Sequence, residues 1–287
     1  MKCAYPIRID PEITKYLPMV QYKGDVVIVD NAANLDEIMG EISNETVLGF
    51  DTETKPSFRK GVHYNTSLLQ LCGEKRAWLF KLDPLKDALG KVFSVLANEN
   101  IVKCGVAVGG DISGLKSLCE FEAKGFVEIS DYTQKMGILN TGLKNLSCVF
   151  FGERISKSVQ MSNWASETLS PRQITYAATD AWISRRLYLE VKARFCENNY
   201  ELQTEYPEIA ATFFAKVKLA FKKIRNASSN NISGIKKFVA NFSKSEKKAF
   251  ANSKSRTAKR PQQKRDFKRA PKKYGDKRPQ NRAKKDN

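Results

Sequence analysis

Short apolar runs alternate with segments of helical periodicity along most of the chain. The apolar runs predict strands at residues 25–30, 47–50, 67–72, 77–82, 101–106 and 126–129. Apolar residues spaced three and four apart predict helices at 34–42, 85–96 and 111–118, and the sequence is helical in character from residue 143. A turn at residues 73–75 predicts one antiparallel strand pair. The pattern therefore predicts an α/β fold with a mixed sheet flanked by helices.

The strand that begins at Val47 leads directly into a pair of acids. Successive side chains on a strand point to opposite faces, so Asp51 and Glu53 share one face and Thr52 takes the other. Two neighbouring carboxylates at the end of a buried strand repel each other and are costly to desolvate, and a divalent cation relieves both costs. Asp-x-Glu is a short pattern, however, and the same residues also fit a polar loop that follows a strand.

Another acid lies on a predicted helix that begins at Ser170. Residues 170–173 match a capping box with proline at the first helical position. Four residues of this helix share one face: Tyr176, Asp180, Ile183 and Leu187. Aspartate is rarely buried without a partner. Asp180 therefore either belongs to a functional site or lies at the edge of the apolar stripe, paired with a nearby arginine.

Asp111 follows two glycines and precedes a predicted short helix. Aspartate is a common residue at the N-cap of a helix, so a purely structural role is one interpretation of Asp111. Participation in a functional site is the other interpretation. The residues around Asp111 are compatible with both.

Positive charge is concentrated towards the C-terminal end of the chain. The 287 residues carry a formal net charge of +18. Residues 216–287 hold 25 of the 49 basic residues and 4 of the 31 acidic residues, which leaves residues 1–215 at a net charge of −3. A strongly basic segment after a slightly acidic body indicates a polyanion as partner, with nucleic acid favoured over a membrane surface.

The composition of residues 207–287 predicts two further segments. Apolar residues at helical spacing predict an additional helical segment at 207–244, and polar, basic composition predicts a disordered tail at 245–287. Such a tail would bind RNA or DNA by neutralising phosphates, and the alternative is a solubilising tail. The candidate nucleic-acid-binding residues are Lys259, Arg260, Lys264, Arg265, Lys268, Arg269, Lys272, Lys273, Lys277 and Arg278.

The pattern of cysteines and the lengths of the apolar segments indicate the cellular compartment. None of the six cysteines forms a C-x-x-C pair, and several lie in apolar runs, which predicts reduced core thiols with no disulfide and no zinc site. No window has the length and apolar character of a membrane span, and the N-terminus has no apolar signal region. We therefore expect a cytoplasmic protein with no membrane partner.

The acids and the tyrosine fall in blocks that resemble the DEDD superfamily of 3′–5′ exonucleases. Three blocks carry the resemblance: Phe50-Asp51-Thr52-Glu53, Lys103-Cys104-Gly105-Val106 followed by Asp111, and Tyr176-Ala177-Ala178-Thr179-Asp180. They resemble the tyrosine subgroup, which includes ribonuclease D and the Werner-type exonuclease domain, over residues 25–195. Lys157 and Trp164 also fall where that family often has these residue types. The only histidine, His63, lies far from the third block, which excludes the histidine subgroup.

The resemblance implies an RNase H-like fold and a two-metal hydrolytic mechanism. Two divalent cations, Mg²⁺ or Mn²⁺, would lie about 4 Å apart and would be held by carboxylate oxygens. Asp51 would bridge the cations, Glu53 and Asp180 would bind one of them, and Asp111 would hold the other or its water shell. Tyr176 would orient the attacking water.

The leading hypothesis is a metal-dependent 3′–5′ exonuclease domain at residues 25–206, preceded by a leader at residues 1–24. It would act on nucleic acid and release nucleoside 5′-monophosphates. One alternative is a catalytically weak protein with an exonuclease fold that binds RNA or DNA through its basic tail, and another is an interaction protein whose tail binds ribosomes or RNA. Retention of all four acids and the tyrosine argues against a degenerate exonuclease.

Overall fold

The computed structural model describes residues 2–203, so the predicted segments at 207–244 and 245–287 lie outside the described residues. The strands are β1 (Cys3–Pro6), β2 (Asp25–Val29), β3 (Val47–Thr54), β4 (Thr66–Cys72), β5 (Arg76–Lys81), β6 (Val102–Gly105), β7 (Phe126–Glu128) and β8 (Tyr200–Gln203). The helices are α1 (Pro11–Thr14), α2 (Leu35–Ser43), α3 (Leu89–Ala97), α4 (Val108–Lys116), α5 (Ile129–Lys135), α6 (Leu143–Phe151) and α7 (Pro171–Glu197), and a 3₁₀ turn (Lys86–Ala88) precedes α3.

Six strands form a mixed sheet in the order β2-β5-β4-β3-β6-β7. Strand β4 is antiparallel to both of its neighbours, and the other three pairings are parallel. Strands β3, β5 and β6 consequently end at the same edge of the sheet. The predicted α/β class with a mixed sheet is confirmed, and the loop after β3 lies at this shared edge.

Helix α7 packs directly against β3 because Gly49 leaves room for its backbone. A Cβ atom on Gly49 would lie 1.8 Å from the carbonyl oxygen of Ala181, a separation that no side chain tolerates. Arg185 fixes the same contact, since its Nε donates a 3.0 Å hydrogen bond to the carbonyl oxygen of Val47. Gly49 shares its strand face with Asp51 and Glu53, so α7 necessarily runs beside both acids.

The opposite face of β3 is buried in the main apolar cluster. Leu48 and Phe50 pack there with side chains from α2, α3 and α4, including Met39, Phe93 and Leu115. A second cluster lies on the other side of the sheet and contains residues of α5, α6 and α7. Helices therefore flank both faces, as predicted, and β3 is held rigidly between two packed layers.

The first residues of the chain pack onto this body. Strand β1 pairs in parallel with β8, and Tyr5, Ile9 and Leu17 are buried in the second cluster. The Tyr5 hydroxyl also donates a 2.6 Å hydrogen bond to Glu190 on α7. Residues 1–24 were predicted to be a leader, but apolar side chains of this segment are buried in the cluster that contains residues of α7. The predicted boundary between residues 24 and 25 is therefore not a boundary in packing.

Among residues 2–203, no helix is both long enough and apolar enough to cross a membrane. All six cysteines are free thiols, and Cys72, Cys104 and Cys148 are buried. Burial raises the pKa of Cys72 to about 12 and that of Cys148 to about 11, so both remain protonated at neutral pH. The cytoplasmic location stays a prediction.

Candidate active site

Three carboxylates meet where β3 ends against α7. Asp51 and Glu53 come from β3 and Asp180 from α7, and one oxygen of each lies within 4.8 Å of the other two. The β3–β4 ladder shifts register between Glu53 and Thr54, an irregularity that frequently accompanies functional sites. The acids line a cavity of about 440 Å³ together with Lys144, Lys157, Gln160 and Tyr176.

Asp180 is the most deeply buried of the three acids, with 3% of its surface exposed. Its Oδ1 atom has no hydrogen-bond partner among the described residues. Its basic neighbour is Lys144, whereas Arg185 and Arg186 bond to Val47 and Glu153. The interpretation that Asp180 pairs with a nearby arginine at the edge of the stripe is therefore wrong.

Asp111 lies beside the three-acid cluster and not within it. Thr52 lies on the face of β3 opposite to Asp51 and Glu53. Its hydroxyl donates a 2.6 Å hydrogen bond to Oδ1 of Asp111. Asp111 is nevertheless close enough to raise the pKa values of Asp51 and Glu53. The structure thus brings three of the four predicted acids together and places the fourth at the margin.

The cap interpretation of Asp111 is wrong, because α4 begins three residues earlier. Its N-cap is Ala107, which has a left-handed φ of 65°. Glu128 satisfies the first turn in place of a local cap, since its Oε2 accepts a 3.0 Å hydrogen bond from the Val108 amide. Asp111 is therefore not needed to begin α4.

Burial raises the pKa of every acid in this region, and repulsion by the neighbouring site acids adds to it for Asp51 and Glu53. Burial is the largest cause in each case. The pKa of Asp51 lies well above its usual range, with further contributions from Asp180, Asp111 and Glu53. The pKa of Glu53 is raised to about 8, and those of Asp111 and Asp180 are raised to about 6. The cluster is therefore short of positive charge at neutral pH.

Tyr176 lies one helical turn before Asp180 and is almost fully buried. Its hydroxyl oxygen accepts a 2.8 Å hydrogen bond from Lys144 Nζ. Burial and the charges of Asp180 and Glu53 raise the pKa of Tyr176 far above its ordinary value, so the phenol keeps its proton. The indole of Trp164 packs against the phenol ring, with centroids 5.8 Å apart. Tyr176 is thus held in one orientation beside the acids.

Lys144 is a charged residue of this cavity that the sequence analysis missed. It contacts Tyr176 and Gln160, and its charge lowers the pKa values of Asp180 and Glu53. A lysine in the first turn of a helix opposes the helix dipole, so its presence near the start of α6 is an unusual feature of the sequence.

The candidate tail residues between Lys259 and Arg278 lie outside the described part of the chain.

The donor atoms fit hard divalent cations. All of them are carboxylate oxygens, which Mg²⁺ and Mn²⁺ prefer to nitrogen or sulfur. The buried Oδ1 atom of Asp180 lacks a hydrogen-bond partner among residues 2–203, and burial disfavours the charged form of the carboxylates, as their raised pKa values indicate. A cation would supply the missing partner and the missing charge together.

A family model described as 3′–5′ exonuclease matches residues 26–194, which include the whole cluster and most of the described fold. The chain belongs to the 3′–5′ exonuclease family. The resemblance drawn from the three sequence blocks is thereby confirmed. The acids on β3 and α7 lie within the matched residues 26–194, and the basic tail lies beyond them.

Named relatives agree with this family. The chain is 30% identical over 183 residues to the mouse "Bifunctional 3'-5' exonuclease/ATP-dependent helicase WRN", covering 60% of this chain and 13% of that protein. It is 27% identical over 204 residues to a "3'-5' exonuclease" of Drosophila virilis, covering 64% of this chain and 62% of that protein. The chain therefore spans less than two thirds of the length of either relative.

A solved structure shows the same fold. The EXO domain of Nibbler from Aedes aegypti superposes with a TM-score of 0.57 at 18% identity, covering 68% of this chain and 98% of that one. At this identity the likeness extends to the arrangement of strands and helices.

Proposed function

We propose that this protein is a metal-dependent 3′–5′ exonuclease that hydrolyses nucleic acid from its 3′ end and releases nucleoside 5′-monophosphates. The observation that carries the proposal is the convergence of Asp51, Glu53 and Asp180 around a buried carboxylate oxygen without a partner. The cluster lies inside the region that matches the exonuclease family. Its carboxylates are costly in a protein that does not bind a cation.

The positions of the acids indicate which residues would bind the cations. Asp51, Glu53 and Asp180 would hold a divalent cation, and Asp111 would hold a second cation or its water shell. Bound cations would supply Lewis acidity at the attacking water and at the scissile phosphate. The rigid contact of α7 with β3 at Gly49 keeps the three carboxylates in place before substrate arrives.

Tyr176 would orient the attacking water as a hydrogen-bonding group and not as a base. Its raised pKa keeps the phenol protonated at neutral pH. Lysine can only donate hydrogen bonds, so the bond from Lys144 makes the phenol oxygen an acceptor. The phenol proton is then free to point towards Asp180, with which the hydroxyl also interacts. Lys144 is accordingly a positioning residue that acts through Tyr176.

Removal of the Lys144 amine should reduce exonuclease activity by about 10- to 100-fold, the range typical of groups that orient active-site ligands. Lys144→Met retains most of the side chain and removes the bond to Tyr176. If Lys144 acts through the phenol, Lys144→Met should cause little further loss in a Tyr176→Phe background. The measurement is a double-mutant cycle on kcat/KM, with Lys144→Arg as the conservative control. Independent, additive losses would contradict the assigned role.

Chelation tests the proposed function directly. Purified full-length protein should degrade end-labelled RNA or DNA from the 3′ end in Mn²⁺ or Mg²⁺, and EDTA should abolish the reaction reversibly. Divalent cation should also raise the melting temperature, because it binds the folded carboxylate cluster and not the unfolded chain. Full nuclease activity in excess chelator would rule out the metal-dependent mechanism. Cation-dependent stabilisation without any cleavage would favour a catalytically weak nucleic-acid-binding protein.

A further inference from the structure

The connection between β3 and β4 is a basic and aromatic segment beside the candidate active site. This segment, residues 55–65, is named here the β3–β4 loop. It contains Lys55, Arg59 and Lys60 and no acidic residue, although residues 1–215 as a whole are net negative. Nine large apolar side chains are exposed among the described residues, and three of them lie in this loop: Phe58, Val62 and Tyr64. The loop therefore concentrates both positive charge and exposed apolar surface.

Two aromatic rings of this loop are exposed, as is Tyr16 near the N-terminus, whereas most aromatic side chains of residues 2–203 are buried or partly buried. Phe58 is 82% exposed and Tyr64 is 44% exposed, whereas Phe50, Phe80 and Phe93 are fully buried. Lys55 Nζ lies 4.8 Å from the centre of the Tyr64 ring, a cation–π distance. Basic groups beside exposed rings are the combination that single-stranded nucleic acid requires, because each nucleotide offers a phosphate and an aromatic base.

The loop borders a second cavity, of about 710 Å³, at the same edge of the sheet as the acids. Its lining includes Lys55, Tyr64, Lys81, Lys86 and Trp164. Lys81 is almost fully buried, and its ammonium donates to the carbonyl oxygen of Glu167. Asp83 and Glu167 also line this cavity, so three lysines face two acids there.

This second cavity is connected to the candidate active site in two ways, once along the chain and once through packed side chains. Lys55 follows Glu53 by two residues along the chain. Trp164 lines the second cavity and packs its ring against Tyr176, which lines the cavity of the acids. A nucleic-acid strand that reaches the acids with its terminal nucleotide would thus find the β3–β4 loop beside the preceding nucleotides.

We propose that the β3–β4 loop and the second cavity bind the single-stranded segment that precedes the 3′-terminal nucleotide. Phe58 and Tyr64 stack on bases, and Lys55, Arg59 and Lys60 contact phosphates. The proposal rests on the exonuclease activity proposed above and adds the substrate feature that this site selects, an unpaired 3′ end of several nucleotides. RNA and DNA share the phosphate and base chemistry, so both belong in the test.

The first test is binding without cleavage. Full-length protein in EDTA is titrated into 5′-fluorescein-labelled single-stranded RNA or DNA of ten nucleotides, and fluorescence anisotropy gives Kd. Phe58→Ala/Tyr64→Ala should raise Kd at least about tenfold, as expected for lost base stacking. Leu139→Ala/Leu189→Ala removes two exposed apolar side chains elsewhere and should leave Kd unchanged. A larger loss with RNA than with DNA, or the reverse, identifies the preferred strand.

Charge is tested separately through salt dependence. Arg59→Gln/Lys60→Gln should make the slope of log affinity against log salt shallower by about 1.4, because each phosphate contact on a single strand contributes about 0.7. Lys23→Gln/Lys75→Gln removes the same charge from exposed positions at the opposite edge of the sheet and should leave the slope unchanged. Every variant keeps the residues from 204 onwards, so their contribution is the same in each comparison.

A hydrolysis assay separates this inference from the proposed function. The p-nitrophenyl ester of thymidine 5′-monophosphate occupies only the terminal position, so Phe58→Ala/Tyr64→Ala should hydrolyse it at the wild-type rate. The same variant should show a raised KM on the ten-nucleotide strand. Wild-type protein that cleaves neither substrate would overturn the proposed function, and the binding assay would still test the loop. Equal Kd values for wild type and the aromatic variant would overturn the loop proposal.

Discussion

Asp51→Asn should lower exonuclease activity at least about a hundredfold, the effect of removing one electrostatic stabiliser of a transition state. Asp51 carries the carboxylate that interacts electrostatically with all three other acids of the site, so its charge would contribute most to the proposed cation binding. Asparagine keeps the oxygen that accepts the 2.9 Å hydrogen bond from the Thr52 amide. The substitution therefore removes charge with little change of shape. The measurement is kcat/KM on an end-labelled strand in Mn²⁺.

The same variant should melt no lower than wild type without metal. At pH 8 the raised pKa values of the wild-type acids oppose folding, because the unfolded chain releases protons that the folded cluster retains. A carboxyl whose folded pKa is raised contributes stability below its unfolded pKa and loses that contribution as pH rises through the folded value. The advantage of Asp51→Asn should therefore appear at pH 8 and fade towards pH 4.

Asp87→Asn provides the matched control, since Asp87 is an exposed aspartate outside the cluster. It should change neither activity nor the response of melting temperature to Mn²⁺. Asp51→Asn should show a much smaller rise of melting temperature with Mn²⁺ than wild type. If Asp51→Asn instead unfolds the protein, Asp51 has a structural role and the cation site is not centred on it.

Local pattern predicted the fold well where local physics determines the structure. The apolar runs predicted the six strands of the sheet, and the capping box at Ser170 predicted the start of α7. Both Ser170 and Gln173 make the reciprocal hydrogen bonds of that motif. These elements depend on residues that are close in sequence, so a single sequence contains their cause.

The elements that sequence analysis misplaced depend on contacts between distant residues. Glu128 receives hydrogen bonds from both Ser130 and Val108, so it begins α5 and caps α4 from 20 residues away. For this reason the strand predicted at residues 126–129 extended one residue into α5, and α4 was predicted to begin three residues too late. Tyr5 and Ile9 likewise gave no local indication that they would pack with Val191 near the end of α7.

The candidate site likewise combines features that the local sequence predicts with features that depend on distant residues. Asp51 and Glu53 could be placed on one face from strand periodicity alone, but their meeting with Asp180 required the resemblance to a family. The cause of that meeting is the absence of a side chain at Gly49, which a sequence shows only as one glycine among many. Lys144 approaches from a separate helix, so no spacing within the three blocks could reveal it.

Removal of residues 245–287 should weaken binding to long nucleic acid far more than it affects hydrolysis of a short 3′ end. The removed segment contains 17 basic and 4 acidic residues, and its sequence has no apolar periodicity that a core would need. The acids and Tyr176 lie between residues 51 and 180, so the shortened chain keeps every group proposed for the chemistry. Binding is measured on one long strand at several salt concentrations, and hydrolysis on a short strand.

A full-length variant separates charge from chain length in this experiment. It carries glutamine at the ten candidate positions: Lys259, Arg260, Lys264, Arg265, Lys268, Arg269, Lys272, Lys273, Lys277 and Arg278. Ten lost phosphate contacts would make the salt slope shallower by up to about 7, since each contributes about 0.7 on a single strand. Both altered proteins should show similar shallow slopes if charge is what binds. Slopes equal to that of wild type would show that residues 245–287 do not hold nucleic acid, and their charge would then serve solubility.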